Sequence, residues 1–547
     1  MNLFTKDNKT LLVYLLPTVI VCLYFLIVSY DAPLHDFSNS YFSARLIHDG
    51  IVPETVIFDI HAFNAYIWGL GYTDVLVDFY VNSPFTLAAF YPLAYIEDAY
   101  LAKFVFNSIS VLLFLAGLFL LAKKTIPDSK WLLLCIPILF YVPIRNQILF
   151  GQSYFIVFFF VVAGYDALEK RREYGTGMLL SFATLLKFFP VFYGIPLAFQ
   201  KRWKAIGLCI LGTLLFVIVG IFITGYTLWE SYFLDILPHT FSSKTTTDYR
   251  VNYQSLDVFF KFLFVEDSYY NPTAWIANER IYAIANWITK AIIIGSAIGM
   301  SIRKKNNTFA LLAIWVTTLF LTQGRTATYA QILWVIPLFV VFPIFMNKKY
   351  TILNRRARHS EQRLNVASII VLLGLLMLIC NFPFRELKGE PIVIQFSRLW
   401  LVVLLTIYMC KLIDAKFHLK YIALTFVVLF PLSYGALKGK SEDNSQYALS
   451  EKKHFMIYDF FEDQGKLSYK ALGRNGDETI QTDISVTSFD TESITIKDHQ
   501  LYHGDQLITE NISLKKKPVL VNHSRVYFLT DHHSRRGAFT LKYIDIN

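Results

Sequence analysis

An all-α polytopic membrane protein with a small β-rich domain at its C-terminal end is the fold class this sequence predicts, and three observations predict it. The chain is 55% hydrophobic and only 17% charged, with a mean hydropathy of +0.43, more apolar than the usual balance of a soluble domain. Its apolar runs approach the roughly 20 residues that a helix needs to cross a hydrocarbon core. From about residue 438 the composition turns polar, and alternating stretches such as Ile484 to Val486, Ser493 to Ile496 and Val526 to Thr530 read as strands.

Leu11 to Tyr30 is the first span: it is longer and more uniformly apolar than a signal-peptide core, and no small-residue cleavage site follows it. Further spans fall at 100–122, 130–144, 148–166, 205–225, 283–302, 308–322, 329–346, 366–383, 393–412 and 419–435, for about 11–13 membrane helices once a broken pair is counted. That pair occupies Gly175 to Phe199, read as two half-helices interrupted near Lys187 and Pro190. A single span there would set Lys201, Arg202 and Lys204 on the opposite face from Lys170, Arg171 and Arg172 and invert every later loop. The broken reading gathers these residues with Lys123, Lys124, Arg303 to Lys305 and the Lys348 to Arg363 cluster on one side, which the positive-inside rule makes cytoplasmic. A multi-pass protein of the cytoplasmic membrane follows, with its N-terminus in the cytosol and three segments outside, 31–99, 226–282 and the tail. Two domains are expected, a transmembrane one over 1–437 and an extracytoplasmic β-rich one over 438–547. The first outer segment carries Phe63, Trp68, Phe79, Phe85 and Tyr91, as a pair of helices lying along the membrane surface would.

The same residues exclude several function classes. The net charge of +10 comes from Lys and Arg clustered at the ends of apolar runs, so a nucleic-acid partner is not expected and the lipid bilayer is. Cys22, Cys135, Cys209, Cys380 and Cys410 all lie within apolar runs, where cysteine acts as a small hydrophobe. No Walker loop, helical zinc signature or glycine-rich dinucleotide turn is present, so no cofactor is expected. The outer carboxylates Asp49, Asp59, Asp74 and Asp78 match no metal-binding spacing, so no metal is expected either.

Asp36, in His35-Asp36-Phe37, follows the first span by a few residues. Two roles fit it: the N-cap of the next helix, where Asp is favoured, or a general base held within hydrogen-bond reach of a hydroxyl. Lys187, in Leu186-Lys187-Phe188-Phe189-Pro190, is a charge inside an apolar stretch; such groups face a cavity or partner, or snorkel. An ammonium there could hold a lipid phosphate, and Pro190 frees backbone groups that need polar surroundings. Arg145, Gln147, Gly151 and Gln152 fall between two spans, at headgroup depth, with Gly151 suited to a close backbone approach. Asn252 and Gln254 lie in the second outer segment and Arg325 in a short outer turn. A guanidinium matches phosphate bidentately, which marks Arg325 as a phosphate ligand.

Taken in order, Asp36-Phe37 with Tyr41 and Gly50, Asn82-Ser83-Pro84-Phe85, Tyr91-Pro92-Leu93-Ala94, Gly151-Gln152, Gly177 with Lys187 and Pro190, Arg202-Trp203-Lys204 and Asn252 with Gln254-Ser255-Leu256 resemble the polyprenol-phosphate-mannose-dependent mannosyltransferases of the GT-C superfamily, glycosyltransferase family 87 type. The resemblance covers about residues 30–340. It implies a GT-C-like fold with an outward-facing site, a polyprenyl-phosphate sugar donor, inversion at the anomeric carbon and Asp36 as catalytic base. Binding of donor phosphate or substrate is then expected of Lys187, Arg325, Arg145, Gln152, Asn252, Gln254, His35 and Asn82. The sequence departs from the family in the turn Thr322 to Tyr329, which lacks the Ser-Trp and His residues of the mycobacterial members, and in its additional β-rich tail.

The expected activity is therefore transfer of a hexose, with mannose as the candidate, to a glycan, glycolipid or other envelope acceptor on the outer face. Two alternatives stay open on topology alone. A lipid-linked-sugar flippase or secondary transporter would also show many spans and a broken helix, although transporters often carry two related halves and no internal repeat is visible here. A surface-polysaccharide polymerase or ligase would differ mainly in its lipid-diphosphate donor.

Overall fold

The computed structural model describes residues 6–79, 82–238, 249–268, 270–347, 358–412, 419–438, 445–449, 454–473, 476–509, 513–532, 534 and 537–546. Helices fill the chain as far as Lys438 and strands follow from Gln446, so the change of composition near 438 coincides with a change of architecture. The sequence-predicted cluster Lys348 to Arg363 lies largely outside the described residues.

Among the described residues four helices are long and apolar enough to cross a membrane: Asn8–Val28, Ala99–Thr125, Trp203–Thr224 and Glu279–Lys304. The pair Lys130–Leu139 and Tyr141–Leu149, bent by 64°, adds a fifth if it is one span. This is a multi-span membrane protein. Some predicted spans are shorter apolar helical stretches, Phe189–Phe199 and Thr308–Thr322 among them. Proline accounts for part of the shortening. Pro137 and Pro143 flank the 64° bend, and Pro190 and Pro196 open two successive short helical pieces, because proline donates no backbone hydrogen bond and excludes the residue before it from the helix.

Some of the helices begin at a capping side chain. The side chain of Asp98 accepts from Tyr100 N at 2.8 Å at the head of Ala99–Thr125, and that of Asn307 accepts from Ala310 N at 2.9 Å at the head of Thr308–Thr322. Each satisfies backbone donors that a helix start leaves without intrahelical partners. The predicted break is present: Glu173–Leu186 ends at Lys187, whose backbone is extended, and Phe189–Gly194 restarts as a tight turn leading into Ile195–Phe199. Glu173–Leu186 packs on Trp203–Thr224, and a Cβ on Gly177 would stand 2.6 Å from that of Leu208. Small residues permit such close helix crossings in lipid.

Residues 31–98 differ from the expected pair of surface helices. Three short α-helices, Asp36–His48, Ile60–Gly69 and Pro84–Phe90, alternate with 3-10 turns, and their inner residues Phe37, Tyr41, Phe42, Phe63 and Phe79 are fully buried. The segment folds back into the main core instead of lying flat on a surface. Asp49, one of its carboxylates, accepts from Arg45 Nε at 2.9 Å and from the Tyr66 hydroxyl at 2.7 Å, and Asp59 caps Ile60–Gly69. These two acids are engaged structurally.

The C-terminal strands form three antiparallel sheets. The largest runs in the spatial order Gln446–Tyr447, Thr540–Asp545, Arg525–Thr530, Lys515–Val521 and Phe489–Asp490; the others are meanders over Met456–Ser485 and Ile494–Leu507. The three alternating stretches noted in the sequence overlap the strands Gly476–Ser485, Ile494–Lys497 and Arg525–Thr530. Their core residues Phe460, Leu472, Val519 and Tyr527 share one apolar cluster with Ile60, Tyr232 and Ile236 of the helical region. His61 stacks on Tyr458 at 3.8 Å between ring centroids, and its Nε2 lies 3.2 Å from Asp477. The sheets are thus docked on the helices around residues 60 and 232.

Candidate active site

The site is built around the turn between the first helix and Asp36–His48. Lys103, fully buried, donates from Nζ to Pro33 O at 2.7 Å and to Ala32 O at 3.2 Å, which fixes the approach to the helix. His35 sits at its N-cap with φ of 48° and makes no side-chain cap bond, and Asp36 is the first helical residue. Of the two roles open to Asp36, the N-cap position is therefore taken by His35. Its carboxylate, in the first turn where the helix dipole favours an anion, is turned across to another part of the chain. There Gln152 Nε2 donates to Asp36 Oδ2 at 2.5 Å.

Gln152 is itself held. It is 6% exposed, and Gln147 donates to its backbone carbonyl. The turn that carries it docks on Asp36–His48 through Phe37 N to Phe150 O at 2.9 Å. Gly151, with φ of 63°, lies so close that a Cβ would meet that of Phe37 at 2.5 Å. This backbone conformation and this contact both require glycine. Gly151→Ala is expected to lower stability by about 2 kcal/mol or more, from left-handed strain and the clash. It should also reduce turnover by moving Gln152 away from Asp36; thermal unfolding and initial rates on one preparation check both.

Lys187 comes to the same place from the broken helix. The Lys187 ammonium lies 6.0 Å from the centroid of the Tyr154 ring, two residues beyond Gln152. Nζ donates to Asn82 Oδ1 at 3.5 Å, a long contact, while Ser83 Oγ ties the neighbouring residue to Leu185 O at 2.6 Å. Aromatic rings wall the cluster: Tyr154 stacks with Phe189 at 5.4 Å and touches Tyr329 at 5.3 Å, and His35 packs on Phe150 at 4.7 Å. Burial and the Lys103 ammonium push the His35 imidazole below its ordinary value against the opposing pull of Asp36. At neutral pH it is then an uncharged hydrogen-bonding group.

Asp36, Gln152, Lys187, Asn82 and His35 therefore form one cluster. A second gathers beside it. Gln254, buried and left-handed at φ of 39°, donates to Gln395 O at 2.7 Å. Ser255 Oγ donates to Gly324 O at 2.6 Å, Thr326 N to Tyr253 O at 3.0 Å, and the Arg325 guanidinium lies 5.7 Å from the Tyr253 ring centroid. Arg145 Nε donates to Asn146 Oδ1 at 3.2 Å, and Asn146 to Thr328 Oγ1 at 2.7 Å. The turn Gly324–Tyr329 thus links the two clusters, through Thr328 toward Arg145 and through Tyr329 toward Tyr154. Asn252 is the exception among the expected residues: it is exposed on its 3-10 turn, and no bond draws it into either cluster among the described residues.

An apolar groove of about 950 Å³ runs beside this second cluster. Lys304 and Asn306 to Thr308 line one end, Leu256, Leu321 and Trp400 the other, and Ile292, Ile293, Thr317 and Val403 the length between. Leu256 follows Ser255 directly, so that end abuts the Gln254 and Arg325 cluster. The groove lining contains none of the expected site residues.

The sequence model of glycosyltransferase family 87 matches residues 80–324. The matched segment, a little under half of the chain, is similar to glycosyltransferase family 87, and with the apolar helices it supports a membrane glycosyltransferase. Within the match lie Asn82, Arg145, Gln152, Lys187, Asn252 and Gln254; Asp36 precedes it and Arg325 follows immediately. No curated protein and no solved structure matches the chain. The two clusters bring a carboxylate and several cations together in and beside the matched segment. Sequence reasoning did not single out Lys103, Asn146, Tyr154 or Tyr329. Tyr154 lay three residues beyond Gly151 at the start of an apolar run, where an aromatic reads as lipid-facing.

Proposed function

We propose that this glycosyltransferase moves one hexose, with mannose as the candidate, from a polyprenyl monophosphate to an acceptor hydroxyl on the outer face of the cytoplasmic membrane. The observation that carries the proposal is the Asp36 carboxylate fixed by Gln152 at 2.5 Å, with the Lys187 ammonium 6.0 Å from the ring of the nearby Tyr154. Asp36 takes the acceptor proton as the acceptor oxygen attacks the anomeric carbon. The bond from that carbon to the phosphate oxygen breaks, and the polyprenyl monophosphate leaves with the electron pair. Lys187 and Arg325, with Arg145, stabilise the charge that collects on the leaving phosphate; Gln152 keeps Asp36 aimed, while Asn82 and Gln254 offer amides to substrate hydroxyls or phosphate. One displacement at one centre inverts the configuration there.

The groove beside Ser255 and Arg325 supports a lipid-borne donor, since an isoprenoid tail needs an apolar channel ending near cations. The outward orientation is supported by Lys123, Lys124, Lys170 to Arg172 and Arg303 to Lys305, which cluster at the ends of the apolar helices. The β-rich region, docked around Ile60 and Tyr232, would stand on the same outer side. The test is donor choice by the purified protein. Label should pass to acceptor from polyprenyl-phosphate mannose and not from a nucleotide-linked mannose; transfer from the nucleotide sugar alone would overturn the reading.

A further inference from the structure

Arg398 belongs to neither cluster, lies beyond the family match and has no role in the reaction as written. It is 5% exposed, its guanidinium lies over the Phe384 ring at 4.6 Å from the centroid, and its Nε is a buried donor without a hydrogen-bond partner. Among the described residues it makes no ion pair. A buried guanidinium without a counter-charge is costly, so its retention calls for an anion that arrives from elsewhere.

Its position narrows what that anion is. Arg398 is the second residue of Ser397–Leu412, a helix of 16 residues, whose first-turn N–H groups have no intrahelical acceptors and carry positive partial charge. A guanidinium and a helix start on the same turn suit a tetrahedral, multiply charged oxyanion. The surrounding segments are joined to those of the second cluster: Gln254 donates to Gln395 O at 2.7 Å, and Val142 N donates to Asn381 Oδ1 at 3.0 Å one turn before Arg145. Phe384, beneath the guanidinium, begins a 3-10 turn that packs on Val251–Tyr253.

We infer that Arg398 and the start of Ser397–Leu412 form a phosphate-binding site, taking the phosphate of a lipid-linked monophosphate as it enters or leaves the Arg145 and Arg325 layer. The choice of lipid phosphate over free phosphate rests on the function proposed above; the anion site itself does not. Arg398 approaches this layer from helices outside the matched segment, which makes it a binding residue that the family match does not supply.

The experiment compares wild type, Arg398→Met and Arg398→Lys as full chains in detergent, by thermal unfolding and by direct binding of two probes, a short-chain polyprenyl monophosphate and inorganic phosphate. Without probe, Arg398→Met should unfold at or above the wild-type temperature, because an uncompensated buried charge has been removed. With the lipid monophosphate it should bind at least 10-fold more weakly than wild type, with Arg398→Lys between them. Binding of inorganic phosphate that depends on Arg398, without binding of the lipid, would keep the site and move its source to free phosphate. Equal binding of the lipid probe by wild type and Arg398→Met would overturn the site while leaving the lipid-phosphate donor standing. Absence of binding by wild type to either probe would overturn it as well, and so would an Arg398→Met protein that unfolds well below wild type, since the charge would then be serving the fold.

Discussion

Asp36→Asn should reduce turnover by about 10³-fold, within the range that positioned proton transfer contributes, while leaving donor affinity near the wild-type value. Asparagine keeps the size of the side chain and can still bond Gln152, whose amide presents both a donor and an acceptor. What it removes is the capacity to take the acceptor proton. The loss should therefore fall on kcat, with KM for the lipid donor little changed, and the melting temperature should stay within a few degrees of wild type. A variant that kept more than a tenth of wild-type turnover would remove Asp36 from the base role.

Lys187→Met should have the second largest effect, and on the other substrate parameter. Its ammonium sits at the end of a broken helix with Asn82 and Tyr154 around it, and in the proposed reaction it meets the phosphate in both the bound donor and the leaving group. Removing one such preorganised group costs about 10²- to 10³-fold, here in kcat/KM with a weaker donor KM. Lys187→Arg should recover part of that loss, because the charge is kept and only its geometry changes. Steady-state rates over a donor series separate this outcome from that of Asp36→Asn. Full recovery of kcat/KM in the Met variant at saturating acceptor would mean that Lys187 only snorkels.

Lys187 and Asp36, on which the proposal rests, stand out in the sequence because each departs from its local context. Lys187 is a charge inside an apolar run next to a proline, and no lipid-facing helix carries that combination without a reason. Asp36 follows closely on the first span. Their convergence was not legible, since it depends on contacts over 100 residues apart in the chain. Gln152 reaches Asp36 across 116 positions, and its aim depends on Gly151 being able to touch Phe37. Nothing local distinguishes that from a polar helix end.

The N-cap alternative for Asp36 is not the role its carboxylate takes, for a related reason. Capping preference describes an isolated helix start, and here the competing amide of Gln152, supplied by the fold, takes the carboxylate. Arg398 was passed over because a cation at the end of an apolar run fits the ordinary pattern of membrane flanks. Its burial comes from the helix Arg358–Asn381 and the Phe384–Leu387 turn folding over it, which no local window shows. Proline divides some of the predicted apolar stretches into short helices, a break that hydropathy averages across while the backbone cannot.

In the proposed reaction Asp36 is a base and not a nucleophile, and the configuration of the product tests that distinction most directly. A donor of defined anomeric configuration would be turned over by the purified protein and the anomeric carbon of the glycosylated product read by NMR. A single displacement assisted by Asp36 predicts the opposite configuration to that of the donor. A retained configuration, with sugar trapped covalently on Asp36, would contradict it.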